Sequence, residues 1–195
     1  MVTDELQTAA DAIAAGEVVV YPTETVYGLG ADALDSAAVK RVFEIKGRDR
    51  SKPVSMAVPD IDTAAEHTRL GDRERRFAEQ FLPGPVTLVV ERGPTVPDVL
   101  TAGRDKVGIR IPDHEGSREL ARRAGPTTAT SANVSGHGSA RHVTAVSEQV
   151  RDAAAVVIDG GKTPGGGSTV VDVSAGEIHR RGADAAAIEA WLGEN

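Results

Sequence analysis

Apolar and polar positions switch between two periods along the whole chain, and the switching points divide it into short strands and amphipathic helices. From Thr3 to Ala15, Leu6, Ala9, Ala10, Ile13 and Ala14 recur at helical spacing, and Gly16 stands where a helix stop belongs. Glu17 to Tyr21 then reads as a buried strand. A second helix starts at Asp35 or Ser36, either of which can cap it, turns Val39, Val42 and Phe43 inward and ends near Gly47. Val54 to Val58 is the next strand. Asp72 to Phe81 is helical and is halted by Pro83-Gly84-Pro85 ahead of a strand from Val86 to Glu91. Further strands are expected at Val107 to Ile111, Thr127 to Thr130, Ala155 to Ile158, Thr169 to Val173 and Glu177 to Arg180. Helices are expected at Ser117 to Ala124, Thr144 to Arg151 and Asp184 to Leu192.

Strand and helix patterns alternating in this way define the α/β class, and no internal repeat interrupts them. The glycine- and proline-rich stretches are short and each lies between two elements, so residues 1–195 are expected to form one domain without an additional C-terminal one. A chain of 195 residues can bury a hydrophobic core without metal or disulfide staples. The sequence has no cysteine, which excludes a disulfide scaffold, a thiol nucleophile and a zinc knuckle and suits a reducing cytoplasm. The longest apolar runs, such as Val86 to Val90, fall far short of the roughly 20 residues of a membrane helix, so no membrane association is expected. Met1 to Leu6 carries acids instead of the basic-then-apolar profile of a secretory leader. A cytoplasmic location is expected.

Charge changes this picture. With 22 Lys+Arg against 29 Asp+Glu the net charge is −7, the wrong sign for a general nucleic-acid coat. Between Lys40 and Lys52, however, Lys40, Arg41, Lys46, Arg48, Arg50 and Lys52 face only Glu44 and Asp49. The run is either a focused anion site on an acidic body or a solvated helix face with a basic tail, and charge alone leaves both open.

Three segments could carry chemistry. Pro22 to Gly30 leaves the C-terminal end of a strand with hydroxyls, a carboxylate and backbone amides, where open α/β sheets bind ligands. Its Gly28-Leu29-Gly30-Ala31-Asp32-Ala33 imitates a dinucleotide fingerprint. It stands six residues from the strand, however, and has Arg48 where an acid is required. Gly161-Lys162-Thr163 similarly fails as a phosphate-binding P-loop, because Val156 occupies the place of the first glycine. Gly165-Gly166-Gly167-Ser168-Thr169 can form an anion-binding nest or an ordinary flexible hairpin loop, and Gly160 to Gly167 is the candidate mobile loop. Ser131 and Asn133, two apart after a strand, could face one ligand or simply form a turn. The histidines are scattered and none is spaced to activate Ser131, which argues against a covalent serine hydrolase.

Seven motifs in one order are more specific than any of these alone. They are PTETVYGLG (Pro22 to Gly30), KGR (Lys46 to Arg48) with KP (Lys52, Pro53), PGPVT (Pro83 to Thr87), GIRIP (Gly108 to Pro112), SANVSG (Ser131 to Gly136), STVVD (Ser168 to Asp172) and RRG (Arg180 to Gly182). Together they resemble the threonylcarbamoyl-AMP synthases of the YrdC/TsaC type over about residues 5 to 182. The resemblance implies a YrdC-like twisted mixed open sheet with flanking helices and a concave basic surface. It implies that L-threonine, bicarbonate and ATP give threonylcarbamoyl-AMP and pyrophosphate, for N6-threonylcarbamoyladenosine next to the anticodon of tRNA. By the same resemblance Lys46, Arg48, Ser131 and Asn133 are catalytic and, with Lys52 and Arg180, bind the nucleotide, while Thr25, Arg110 and Ser168 surround threonine. Mg²⁺ is expected to arrive with ATP and to take no protein side chain as ligand. A tRNA threonylcarbamoyl transferase complex is the expected downstream partner. Ala57 stands where many relatives carry histidine, and Lys106 and Arg141 where threonine is frequent. The longer relatives close the site with a linker and second domain, so the lid here is expected to be local, at Gly160 to Gly167. The alternative reading is a YrdC-like protein that binds tRNA, rRNA or double-stranded RNA without synthesis.

Overall fold

The structure, a computed structural model, describes residues 2–194. Within them the chain runs α1 (Val2–Ala14), β1 (Val19–Tyr21), β2 (Gly28–Gly30), α2 (Ser36–Lys46), β3 (Ser55–Ala57), α3 (Ile61–His67), β4 (Thr68–Arg69), α4 (Asp72–Phe81) and β5 (Val86–Arg92). It continues through α5 (Asp98–Thr101), β6 (Lys106–Arg110), α6 (Glu115–Ala124), β7 (Thr127–Ser131), a 3-10 turn (Val143–Ala145), α7 (Glu148–Ala153), β8 (Val156–Val157), β9 (Thr169–Asp172), β10 (Glu177–Arg180) and α8 (Ala185–Glu194). The strands form one open sheet in the order β10-β9-β5-β6-β3-β7-β2-β1-β8, with β4 added beside β5. β1 with β8, β3 with β6 and β5 with β9 are parallel and the remaining pairs antiparallel, so the α/β class and mixed open sheet expected from the sequence are what the chain forms.

Period-two alternation explains why one face of the sheet is core and the other is a site. In register, Met56, Ile109, Leu88 and Val171 make one row across β3, β6, β5 and β9, and none is more than 2% exposed. Phe43, Phe77, Leu100, Ile188 and Trp191 pack on that row, and burying each such side chain contributes about 1.5–3 kcal/mol before entropy is counted. The neighbouring positions on the same strands point the other way, and apart from Val89 and Val170 those nearest the centre of the sheet are small or polar: Ser55, Ala57, Thr87, Gly108 and Arg110. At the far end β1 is covered on both faces. Val19 and Tyr21 meet α1 and α6 through Leu6, Ile13 and Leu120, while Val18 and Val20 meet α2 and α7 through Val42 and Val150.

Local signals set several boundaries as read from the sequence. Asp35 Oδ1 accepts from the Ala37 N–H at 2.8 Å to cap α2, and Gly47 closes it in the left-handed region at φ 54°. Elsewhere the structure differs. α6 begins at Glu115 instead of Ser117, because His114 Nδ1 accepts from the Ser117 N–H at 3.1 Å. The helix expected from Thr144 to Arg151 is broken into the 3-10 turn and α7, since Val146 between them is extended and buried in the β1–α2 core. α3, β4 and α5 carry too few residues to leave a readable period. β2 was read as loop, and its Gly-Leu-Gly sequence has little strand preference of its own. Pairing with β1 and β7 makes it a strand, and the Tyr21 ring fills the space over its glycines: a Cβ on Gly30 would stand 2.8 Å from Tyr21 Cε1.

Candidate active site

The polar face of the sheet is the floor of a cavity of about 260 Å³. Ser55, Ala57 and Thr87 on β3 and β5, Ala129 and Ser131 on β7, and Gly28 on β2 leave it shallow and lined with hydroxyls. Gly108 makes this floor possible. A Cβ there would stand 2.5 Å from Ser55 Oγ and 2.9 Å from Thr87 Cγ2, so only glycine lets the two hydroxyl-bearing residues approach over β6.

Three arginines from distant parts of the chain enter this space. Arg48, after α2, is held by the carbonyls of Lys52 and Pro53, at 3.0 Å from Nε and 2.8 Å from Nη2. Arg180, ending β10, grips Ser168, donating from Nε to its carbonyl at 3.1 Å and from Nη2 to its Oγ at 2.8 Å. Arg110, ending β6, donates from Nη2 to Glu24 Oε1 at 2.8 Å and to Thr25 Oγ1 at 2.9 Å. Burial first, and then the Arg180 charge, lowers the pKa of Arg48. Burial and then Arg110 do the same to Arg180. These guanidiniums feel one another, and each unit of negative charge brought within ~4 Å of one gains roughly 4 kcal/mol before desolvation, at an effective dielectric near ~20. The cavity is therefore electrostatically suited to anions.

Its other wall is the glycine strap from Gly160 to Gly167. The Tyr27 hydroxyl donates to Gly161 O at 2.7 Å, the Thr163 N–H to Arg141 O at 2.9 Å and the Gly165 N–H to Thr25 O at 2.7 Å. Tethered at these points, the strap brings Gly166 and Gly167 to the cavity beside Ser168. Gly165 and Gly166, at φ 90° and 88°, adopt backbone that only glycine takes readily. No helix follows Gly161-Lys162-Thr163, in keeping with the rejection of a P-loop.

Of the residues singled out from sequence, Thr25, Arg48, Arg110, Ser131, Ser168 and Arg180 all line this one cavity. Lys46, Lys52 and Asn133 do not. Lys46 is only 2% exposed and turns its ammonium to the carbonyls of Ser131 and of Asn133, the latter at 2.6 Å. Of the two readings of Ser131 and Asn133, a shared ligand face or a turn, the structure shows the turn: β7 ends at Ser131. Asn133 Nδ2 donates instead to the carbonyls of Val134 and His137, both at 2.8 Å. Lys52 is exposed, and its backbone carbonyl positions Arg48. Ala57 lines the cavity. Lys106 pairs with Asp172 at 2.5 Å, and Arg141 Nε donates to Thr163 O at 3.2 Å beneath the strap. Tyr21, Ser55 and Thr87 also line the cavity and were not foreseen as site residues, whereas Gly166 and Gly167 belong to the glycine cluster that could form an anion-binding nest. Ser55 and Thr87 had a usable signal, since each alternates with a core residue on a buried strand. Burial raises the pKa of the Tyr21 hydroxyl. Among the described residues no group of three or more His, Cys, Asp or Glu comes together as a metal site, and no helix is long and apolar enough to cross a membrane.

An arginine-ringed cavity laid on the polar face of an open mixed sheet is an α/β arrangement suited to small anionic molecules. The comparisons narrow this. The Sua5/YciO/YrdC family model, described as telomere recombination, matches residues 11–182, and the chain belongs to that family. A threonylcarbamoyl-AMP synthase of Pyrococcus abyssi is 40% identical over 175 residues, covering 87% of this chain and 51% of that protein. A putative threonylcarbamoyl-AMP synthase of Mycobacterium tuberculosis is 38% identical over 169 residues, covering 86% of this chain and 78% of that protein. The crystal structure of Pyrococcus abyssi Sua5 complexed with L-threonine superposes with a TM-score of 0.91 at 38% identity, covering 97% of this chain and 57% of that one. The chain thus spans about half the length of its Pyrococcus relative.

Proposed function

We propose that this chain is a threonylcarbamoyl-AMP synthase, a nucleotidyltransferase that makes threonylcarbamoyl-AMP and pyrophosphate from L-threonine, bicarbonate and ATP. The observation that carries the reading is the convergence of Arg48, Arg110 and Arg180 on one hydroxyl-lined cavity, in a chain whose threonine-bound relative superposes over nearly its whole length. The substrates are anions or carry anionic groups, and the body of the protein is acidic at −7. Local cations must therefore dominate.

In this reading the threonine amine takes up bicarbonate with loss of water to form N-carboxythreonine. A carboxylate oxygen of that species forms a bond to the α-phosphorus of ATP. The bond from that phosphorus to the bridging oxygen breaks, and its electron pair leaves with pyrophosphate. No enzyme nucleophile is needed; the chain supplies position and charge neutralisation. Arg48 and Arg180 face the phosphates, with the Ser131 hydroxyl and the strap amides as further donors. Arg110, Thr25 and Ser168 hold the amino acid. Lys46 and Asn133 act through the backbone of the Ser131–Asn133 turn, and Lys52 through Arg48. Mg²⁺ travels with the triphosphate, where it would neutralise the leaving group; arginines and hydroxyls suit a metal that arrives on phosphate. The unstable product requires a transferase to pass its acyl group to tRNA.

The test is chromatographic. The purified protein is incubated with ATP, Mg²⁺ and bicarbonate, with and without L-threonine, and threonylcarbamoyl-AMP and pyrophosphate are followed. Product that depends on both threonine and bicarbonate supports the reading, and its absence with ATP binding intact refutes it.

A further inference from the structure

Glu24 forms an ion pair with Arg110, which lines the cavity, and both ions retain unused bonding capacity. Each side chain is 12% exposed. Arg110 directs only Nη2 to the protein, to Glu24 Oε1 and Thr25 Oγ1. Its Nη1 and Nε, three of the five N–H donors of a guanidinium, meet no acceptor among the described residues, although the residue lines the cavity. Glu24 is the mirror case. Its Oε1 takes the arginine, while Oε2 is buried and accepts no hydrogen bond among the described residues. A buried carboxylate oxygen without a donor is costly and rare, so a native one calls for an explanation.

The explanation follows from the shape of an α-amino acid. Its carboxylate and ammonium are borne by the same carbon, so its receptor needs a cation with free donors and an anion with a free acceptor within one hydrogen bond of each other. Arg110 and Glu24 are 2.8 Å apart and meet that description. The loop keeps them so. Thr23 Oγ1 donates to Val26 O at 2.7 Å and accepts the Thr25 N–H at 3.2 Å, which makes Pro22 to Val26 a closed turn with Glu24 at its apex. Tyr21 and His114, the other titratable groups that feel the Glu24 charge, leave its Oε2 without a bond.

We propose that Glu24 is a specificity-determining residue: with Arg110 it forms a receptor for a zwitterion, and its Oε2 accepts the ammonium group of the amino-acid substrate. The proposal rests on the synthase reading for the identity of that substrate, L-threonine. The site therefore demands a free amino group, and an analogue that keeps the carboxylate and the hydroxyl but lacks the amine leaves Oε2 unsatisfied.

The experiment is calorimetric binding of L-threonine and of 3-hydroxybutyrate, its amine-free analogue, to the full chain and to Glu24→Gln. A charge-assisted hydrogen bond predicts that the natural chain prefers threonine by roughly tenfold or more. Glu24→Gln keeps the shape but cannot accept an ammonium as an anion does, and the preference is expected to collapse to within about twofold. The ratio of two ligands on one protein is insensitive to a partial loss of folding. The natural chain alone already tests the proposal, because equal binding of the two ligands overturns it whatever the variant does. A variant that keeps the roughly tenfold preference overturns it as well. Failure of the natural chain to bind threonine at all, with or without ATP, sinks the synthase reading and this proposal with it. Threonine binding without the amine preference sinks this proposal alone.

Discussion

Lys46 has no access to the cavity, and that sets up a quantitative test. Its side chain is buried with two carbonyl acceptors, those of Ser131 and Asn133, and no carboxylate. Burial, aided by the nearby charge of Arg48, pushes its pKa down from 10.5 to about 8. A lysine in the unfolded chain binds its proton more tightly, so between those two values the unfolded state holds more protons than the folded one. Folding stability therefore rises with pH across that window, as the buried charge is relieved. At 1.36 kcal/mol per unit the whole effect is about 3 kcal/mol, of which about 2 kcal/mol is recovered between about pH 7.5 and pH 10. Lys46→Met keeps the stem and removes the titration, at the expense of two unsatisfied carbonyls worth roughly 1–3 kcal/mol each. The two contributions at neutral pH oppose each other and nearly cancel, so the absolute stability of the variant is a poor readout. The pH dependence is a good one. Urea unfolding of both proteins at the two pH values should show the natural chain gaining about 2 kcal/mol relative to Lys46→Met. Parallel stabilities would refute the placement of a charged ammonium in that turn.

Other outcomes follow from the same geometry. Arg180→Ala removes a charged hydrogen-bonding partner worth about 1.5–3 kcal/mol, so KM for ATP should rise roughly 10- to 100-fold in steady-state assays, and an unchanged KM would take Arg180 out of the nucleotide site. Gly182→Ala would drive a Cβ into the backbone of Gly167 and Ser168, 2.6 Å from the Ser168 carbonyl carbon. Thermal melting should report a loss of about 1–3 kcal/mol, and turnover should fall further than stability does, since those residues wall the cavity; full activity would show that the strap tolerates displacement. The His114 pKa is lowered chiefly by burial, with the Glu24 charge opposing and Arg118 adding. Its Nδ1 can cap α6 only while unprotonated. The unfolded chain takes up that proton first, so stability should fall as pH drops below about 6.5. His114→Asn, which caps without titrating, should show a shallower acid-side slope in melts, and superimposable slopes would contradict this account.

Local chemistry was legible. The 3.6- and 2-residue periods identify α1, α2, α4, α8 and the long strands. The Asp35 cap and the left-handed Gly47 follow from residue type at a helix end. The order of seven short motifs sufficed to name a family, and six of the nine residues assigned to the site line one cavity. What the one-dimensional pattern cannot carry is contact between distant segments. Gly28 to Gly30 becomes a strand only because β1 and β7 flank it and the Tyr21 ring lies over its glycines. Lys46 and Arg48 sit side by side in a basic run with equal claims on an anion. Which one lines the cavity was decided by the carbonyls that β7 and its turn present to the end of α2. Arg48, Arg110 and Arg180 belong to separate elements and meet through the sheet order, as do Glu24 and Arg110. Backbone preferences act over a few residues and so are written in the sequence. Charge convergence and close packing depend on which strands are neighbours, and that is settled only when the sheet closes around its core.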